Sequence, residues 1–595
     1  MALLVAASTC AAGAPVERIV WWPIGKPGFG LYLSAPDGTH LRSFMSNLQP
    51  DYNPSFSYDG RWIVFTSERL GSADVFRVHP DGSGLERLTD NPAFDDQGAL
   101  SPDGRTLAFV STREGGTANI WLLDIASRRF RNLTRNRAGN FRPSWSPGGK
   151  WIAFSSDRDM PRLRIIRDWG PAWELLERTA IYIVHSDGSG LRRLTPLNGS
   201  AARPRWSPDG RRVIFAQVTD LEAMRHAHIR TQIVSVDVYT GTRRTYSDGT
   251  EYARSPAYIT QKEVGYELNN PGPTLVYTSG RKGPNNALNP SWSPDGSLLV
   301  FDRQLPAQTT WVAVRRSQDP LYELIGGSAF NDFISFTRSG KRFIYRPPNS
   351  QILKLVRWDG SGTVIFDGSR SGVSPWASGA LSADGRRVAF GIVKSPRPSE
   401  VGQLAVMDSD GAHFRVITHD DGHDAFPSFS PDGRRLVYRL GNSSERQHTQ
   451  RGLRIVSLAD GKITKLTSGW DDFPAWSPRG DRIAFTGFET GDFEIYTIRS
   501  DGTGLSQLTH THGNDAHPLW SPDGKWIAFV SSRMGWKDDA EFPGSQDYGE
   551  IFVMRADGTD VRQLTDNRWE EAPVGWVPSV LDAASINAAL HAQPN

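Results

Sequence analysis

The sequence predicts an all-β protein, a β-propeller of four-stranded antiparallel blades. Three observations carry this. The segment Pro143-Ser144-Trp145-Ser146-Pro147-Gly148-Gly149-Lys150-Trp151-Ile152-Ala153-Phe154 returns as near copies beginning at Pro54, Pro204, Pro290, Pro427, Pro474 and Pro518. Its turn glycines advance by 44 or 45 residues from Gly60 to Gly104 to Gly149, and resume a similar stride through Gly340, Gly385, Gly433, Gly480 and Gly524. A second turn, Asp81-Gly82, falls between those copies and recurs at Asp187-Gly188, Asp410-Gly411, Asp501-Gly502 and Asp557-Gly558. Four short strands in roughly 45 residues are the signature of one propeller blade.

Each unit reads in order. Strand a is the Pro-x-Trp-Ser segment. The Ser-Pro-Asp-Gly after it is a tight turn, because proline pre-sets φ, aspartate bonds its own backbone and glycine takes the left-handed corner. Strand b, such as Trp62-Ile63-Val64-Phe65-Thr66, is rich in β-branched and aromatic residues, as a half-buried strand requires. Strand c follows a loop (Asp74-Val75-Phe76-Arg77-Val78), and the second turn returns the chain as strand d (Leu85-Glu86-Arg87-Leu88-Thr89). The 86-residue gap between Gly210 and Gly296 hides a decayed blade, with Ser255-Pro256-Ala257-Tyr258 as its strand a.

The ends are complementary. Arg18 to Trp22 reads as a strand b, Gly30 to Met45 supply strands c and d, and Pro573 to Pro578 form a strand a with nothing after it. The termini are therefore expected to share one closing blade, which removes free sheet edges. About 11–12 blades exceed a typical ring, so two propellers are expected. The sequence suggests residues 1–15 as an export signal, 16–200 plus 425–582 as the first propeller, 201–424 as the second and 583–595 as a tail; a tandem split near 290 is the alternative.

The bulk numbers agree with a globular chain. Of 595 residues, 38% are hydrophobic and 22% charged, and 67 Lys and Arg against 65 Asp and Glu leave a formal charge of only +2, with no basic block for nucleic acid. No apolar run reaches the roughly 20 residues of a membrane span. The start, Met1-Ala2-Leu3-Leu4-Val5-Ala6-Ala7-Ser8-Thr9-Cys10-Ala11-Ala12-Gly13-Ala14, has the small-residue cleavage pattern of a signal but no basic n-region. A periplasmic or secreted location is expected. Cys10, the single cysteine, is a candidate lipid anchor, although Thr9 before it fits poorly.

The Pro-x-Trp-Ser-Pro-Asp-Gly-x-x-Ile-Ala-Phe grammar resembles the WD40-like repeat of the TolB family of periplasmic β-propellers, which also occurs in propeller domains attached to prolyl-oligopeptidase-type and tricorn-type peptidases. The resemblance covers nearly residues 18 to 578 and implies fold more specifically than function. It makes the recurring residues architectural: Trp145 or Trp476 fills the space between blades. The sequence departs from those peptidases in carrying no Gly-x-Ser-x-Gly nucleophile elbow, and only about 17 residues follow Pro578, so no hydrolase domain is expected.

Function is sought in the loops. The a-to-b and c-to-d turns share one face and are uniform; the insertions Asp157 to Thr179, Gln217 to Thr231, Lys394 to Gly402, Leu440 to Gly452 and Ser531 to Gly549 fall on the other, the usual home of binding. The longest carries Arg158, Arg162, Arg164, Arg167, Trp169 and Trp173, a set suited to clamping carboxylates or stacking on sugars, or to packing the insertion on the ring as a short helix. Three residues before the strand-a proline or its equivalent stand Asp51, Asp95, Asn140, Asp424, Asp471, Asp515 and Glu570. They would crown one channel mouth with negative charge and attract a cationic peptide or a cation such as calcium, or else bond structurally to arginines such as Arg69, Arg113 and Arg533. His423 and His517 lie in His/Asp-rich loops two blades apart, and no compact metal motif or resident cofactor is expected from them. The reading is a non-catalytic scaffold of the bacterial envelope that recognises a protein, a peptide or a glycan. The alternative is a carbohydrate-active propeller of polysaccharide-lyase type with a His/Arg/Tyr site at the channel mouth.

Overall fold

The computed structural model describes residues 18–24, 29–45, 50–70, 72–160, 163–167, 170–176, 178–225, 229–269, 273–304, 313–315, 335–336, 342–346, 350–357, 362–370, 372–394, 402–419, 422–441, 451–535, 537–538, 549–566 and 570–577. They form eleven four-stranded sheets, one three-stranded sheet and one two-stranded hairpin. Strands within a blade pair antiparallel, as between Asp51–Phe56, Ile63–Ser67, Asp74–Val78 and Glu86–Arg87. The decayed stretch is a full blade, Ala253–Tyr258, Val264–Asn269, Pro273–Tyr277 and Lys282–Asn285.

Contacts between successive sheets draw two closed circuits of six blades each. In the first, the innermost strands are Asp51–Phe56, Asp95–Leu100, Asn140–Trp145, Ala201–Trp206, Ala253–Tyr258 and Leu288–Trp292, and the last again touches the first. In the second they are Ser335–Phe336, Val373–Leu381, His423–Phe429, Asp472–Trp476, Asp515–Trp520 and Glu570–Val577, which returns to Ser335–Phe336. The partition expected from the sequence, with 201–424 inserted between 16–200 and 425–582, is not the one these contacts draw. The boundary lies between Gln304 and Ala313.

The N-terminal strands serve both rings. Arg18–Ile24 pairs with Glu570–Val577 (Arg18 opposite Val577), so the termini share a blade, whose third strand is Ala313–Arg315. The next strands, Phe29–Ser34 and Arg42–Phe44, leave that blade and pair onto Leu299–Gln304, closing the first ring. Expected as neighbours in one blade, they are divided between two. An open strand edge offers the same backbone donors and acceptors to any partner of matching pattern, so local sequence could not choose between them.

The repeat residues hold the scaffold as their chemistry suggests. In the first turn Ser57 Oγ donates to Asp59 Oδ1 (2.6 Å), and the Arg61 and Trp62 amides donate to Asp59 Oδ1 (3.1 Å) and Ser57 Oγ (3.0 Å). The same serine-to-aspartate bond recurs at Ser101–Asp103, Ser207–Asp209, Ser293–Asp295, Ser382–Asp384, Ser430–Asp432 and Ser521–Asp523. Trp145, Trp206 and Trp520 each donate the indole N–H to a backbone carbonyl of the preceding blade, at Ala99 (3.1 Å), Ser144 (3.0 Å) and Ala475 (3.1 Å). Phe65, Phe109, Phe154, Phe215, Phe301, Phe390, Phe485 and Phe529 of the second strands are buried, each contributing about 1.5–3 kcal/mol by leaving water.

Candidate functional site

Each innermost strand of the first ring carries a bulge at the residue before its proline, or before Gly98 in one blade. Asn53, Gln97, Arg142, Arg203, Ser255 and Asn289 all have φ between 48° and 60°, and the strand register shifts there. A following proline disfavours the right-handed helical region, and the left-handed alternative is uncommon for non-glycine residues. These six side chains line the central channel, which narrows among them to a cavity of about 30 Å³, room for roughly one water molecule.

Buried ionic groups fix their orientation. Asn53 Nδ2 donates to both Asp96 oxygens (2.9 Å each), which also accept from Thr66 Oγ1 (2.6 Å) and Gln97 Nε2 (3.2 Å). In the adjoining blades on the other side of Asn53, Asn289 Nδ2 donates to Asp302 (3.0 and 3.2 Å), its amide donates to Glu267 Oε1 (2.8 Å), and Arg254 Nε donates to Glu267 Oε2 (2.7 Å). Arg203 Nη1 donates to Ser255 Oγ (2.8 Å) and Asn289 Oδ1 (2.6 Å). Arg142 Nη1 donates to Asn53 Oδ1 (2.9 Å), and its amide donates to Gln97 Oε1 (2.8 Å). Arg205 joins the lining. A narrow channel with Arg142, Arg203 and Arg205 backed by fixed amides is suited to hydrogen-bonding an anionic, oxygen-rich group.

The second ring reaches this site. Lys537 and Asp538, in the connection between Trp526–Ser531 and Glu550–Arg555, pack into the first ring. Asp538 accepts from Arg142 Nε (2.7 Å) and also from Arg142 Nη2, and the Lys537 carbonyl accepts from Gln97 Nε2 (3.1 Å). Lys537 Nζ donates to Asp566 Oδ1 (2.6 Å) and pairs with Glu550. Burial opposes the Lys537 charge, but Asp566 and Glu550 outweigh it and hold its pKa above the usual value. Asp566 Oδ2 accepts from Thr112 Oγ1 (2.6 Å) of the first ring.

The second ring presents a different channel wall. Phe426, Phe473 and His517 occupy the equivalent left-handed positions before proline, with φ of 53°, 49° and 52°. Their rings stack in series, Phe426 to Phe473 at 4.3 Å and Phe473 to His517 at 3.6 Å, and burial pushes His517 down to about 4.

The residues singled out from the sequence fall differently. Asp51, Asp95 and Asn140 belong to the first ring, and Asp424, Asp471, Asp515 and Glu570 to the second, so they do not crown one mouth. Each acid or amide with a described arginine partner uses one from its own blade, not from a neighbour: Arg69 to Asp51 at 3.0 Å, Arg113 to Asp95 at 2.6 Å, Arg158 to Asn140 at 2.6 Å and Arg533 to Asp515 at 2.7 Å. Asp424 and Asp471 are buried, and burial pushes Asp471 up to about 6. Glu570 begins the strand opposite Ile24. Among the described residues no group of three or more His, Cys, Asp or Glu is arranged to hold a metal ion.

The arginine-rich insertion is a hairpin, Leu163–Arg167 paired with Gly170–Leu176, rather than a short helix. Arg164 and Arg167 lie on its first strand and Trp173 on its second, while Arg162 and Trp169 lie outside the described residues. His423 begins the strand His423–Phe429, two blades before that of His517; burial, then Arg439, lowers its pKa. The channel residues were missed because the sequence pattern was read three positions before the proline. The informative position is the one immediately before it, polar in the first ring and aromatic at Phe426, Phe473 and His517 of the second.

A family model described as TolB beta propeller domain matches residues 377–538. Residues 377–538 thus carry TolB-type propeller repeats. It is 35% identical over 154 residues to "Protein TolB homolog" of Chlorobium luteolum, covering 25% of this chain and 34% of that protein. It is 25% identical over 316 residues to "Dipeptidyl-peptidase 5" of Porphyromonas endodontalis, covering 51% of this chain and 37% of that one. Among solved structures, a putative TolB from Agrobacterium tumefaciens aligns with TM-score 0.36 and 22% identity, over 42% of this chain and 85% of that one. The chain spans about a third of the length of these two curated TolB and peptidase relatives. Among the described residues no helix is long and apolar enough to cross a membrane.

Proposed function

We propose that this chain is a binding scaffold of the bacterial envelope that recognises a protein or peptide partner at the channel mouth of its first ring. The single observation that carries the reading is the channel itself: six inward residues, one per blade, form a polar surface with Arg142 and Arg203 pre-oriented by hydrogen bonds. Pre-orientation lowers the entropy lost when a partner binds. The signal-like N-terminus and the TolB-type repeats support the envelope location, and the TolB likeness supports a protein partner over a polysaccharide. The proteins this chain resembles lend the polymer-cleaving alternative no support.

The peptidase relatives make hydrolysis the reading to test against. The experiment is crosslinking of the purified chain in envelope extract, run beside an assay for release of nitroaniline from dipeptidyl-nitroanilide substrates. The expected result is a crosslinked protein that the Arg203→Gln variant no longer captures, with no peptide hydrolysis. Hydrolysis by the purified chain, or capture that ignores the channel substitution, would refute it.

A further inference from the structure

Arg142 and Gln97 do more than line a channel, because they already hold a short piece of polypeptide. The guanidinium engages the Asp538 carboxylate through Nε and Nη2, one nitrogen to each oxygen, while Gln97 Nε2 takes the carbonyl of Lys537 at 3.1 Å. This is two-point recognition of an acidic residue in a short segment: the fork reads the carboxylate geometrically, and the amide reads the main chain just before it. Both ends of the contact are built. Arg142 is 5% exposed and Asp538 1%, Gln97 Oε1 accepts from the Arg142 amide and Asn53 Oδ1 from its Nη1, and Asp96 holds Asn53 and Gln97 in turn.

A contact needed only to hold two rings together would gain as much from apolar side chains, since a buried ion pair returns little net stability after desolvation. What an ion pair supplies is specificity for a carboxylate. The segment that provides it also crosses between rings, with Lys537 anchored on Glu550 and Asp566 of the second.

We propose that the Arg142–Gln97 pair is a seat for the side-chain carboxylate of a partner's acidic residue, and that Asp538 is its resident occupant, which the partner displaces. This deepens the binding-scaffold reading and rests on it, by naming the chemical class recognised and the internal competitor. Displacement removes the Arg142–Asp538 tie between the rings while the Thr112–Asp566 bond remains, so binding and this part of the coupling of the rings are linked in both directions.

The test is fluorescence anisotropy on the full chain, with a labelled, N-acetylated and C-amidated peptide reproducing residues 535–541, Gly-Trp-Lys-Asp-Asp-Ala-Glu. The Asp538→Asn chain is expected to bind it at least tenfold more tightly than wild type. A peptide with Asn at the position of Asp538 should lose that gain, as should the Arg142→Gln, Asp538→Asn double variant. Equal binding by wild type and Asp538→Asn, or equal binding of the Asp and Asn peptides, would overturn the proposal. So would tighter binding of an Ala-substituted peptide with a free C-terminal carboxylate, which would assign the seat to chain termini. Should circular dichroism show Asp538→Asn unfolded, hydrogen exchange on wild type with excess peptide decides: faster exchange between Ser531 and Glu550 is expected, and unchanged exchange overturns the idea. A crosslinked partner whose capture survives Arg142→Gln leaves the scaffold standing and removes the seat. Peptide binding without any captured partner does the reverse.

Discussion

Asp95→Asn should make the first ring more stable at alkaline pH, and an existing seam of the same ring supplies the template. Asp95 is buried where one blade meets the next. Its amide donates to the Ala73 carbonyl (3.0 Å), Arg113 Nη2 donates to its Oδ2 (2.6 Å), and Asp74 stands close enough to repel it. Burial, opposed by Arg113 and reinforced by Asp74, pushes the Asp95 carboxyl up to about 7 from an ordinary 3.8. One blade further on, the same positions hold Asn119 and Asn140: the Asn140 amide donates to Ala118 (2.9 Å), Nδ2 to Asn119 Oδ1 (3.4 Å), and Arg158 Nη2 donates to Asn140 Oδ1 (2.6 Å). An amide therefore fits beneath the arginine.

A group whose folded pKa is raised contributes stability that is complete below its unfolded value and lost as pH rises through its folded value. For Asp95 that window runs from about 4 to about 7. A rise of that size corresponds to about 4 kcal/mol at pH 8. The raised value already contains the opposing pull of Arg113, so an amide that matches the protonated acid gains the whole difference, and about 4 kcal/mol is expected at pH 8. Denaturant unfolding at pH 8 and pH 4 reads it directly: the variant should exceed wild type at pH 8 and match it near pH 4. Equal destabilisation at both values would refute the burial-and-repulsion account and assign Asp95 to a net stabilising ion pair.

Other outcomes follow from the same geometry. Trp145→Ala removes a buried indole that bridges two blades and should cost about 3–5 kcal/mol, read as a lowered denaturation midpoint. Arg142→Gln leaves the buried Asp538 carboxylate without its fork and should cost about 3–5 kcal/mol, read as a lowered denaturation midpoint at neutral pH. His517, pushed down to about 4 by burial against Phe473, should keep a neutral ring in NMR titration to pH 5, whereas exposed His413, raised by Asp408, should already be charged at pH 6. Gly60→Ala should destabilise by roughly 1 kcal/mol, because φ is 71° there and an added Cβ would meet Pro294 at 3.2 Å.

The acidic pattern shows how a correct observation can be placed wrongly. Asp51, Asp95, Asn140 and Asp515 recur because each starts an innermost strand and accepts from an arginine two residues beyond the paired second strand. That period reports the interior of the blade. Glu494 beside Asp515 repeats the Asp74–Asp95 arrangement in the other ring, and its pKa rises to about 7 by burial. Seam chemistry recurs wherever a blade does, so it carries no information about which ring a blade belongs to.

The sequence by itself determined the blade. Turn chemistry at Ser57-Tyr58-Asp59-Gly60, alternation in Trp62 to Thr66 and the bridging Trp145 are short-range consequences of backbone preference and burial, legible within a few residues. It also determined that the termini meet, since Arg18 to Trp22 and Pro573 to Pro578 are complementary fragments. Only the tertiary structure decided that Phe29–Ser34 closes the first ring while Arg18–Ile24 closes the second, and that Asp538 lies on Arg142, 396 residues away in the chain. Strand edges and charged groups are generic in what they can pair with. The partner each one takes is fixed by the curvature of the assembled ring, which no local stretch of sequence contains.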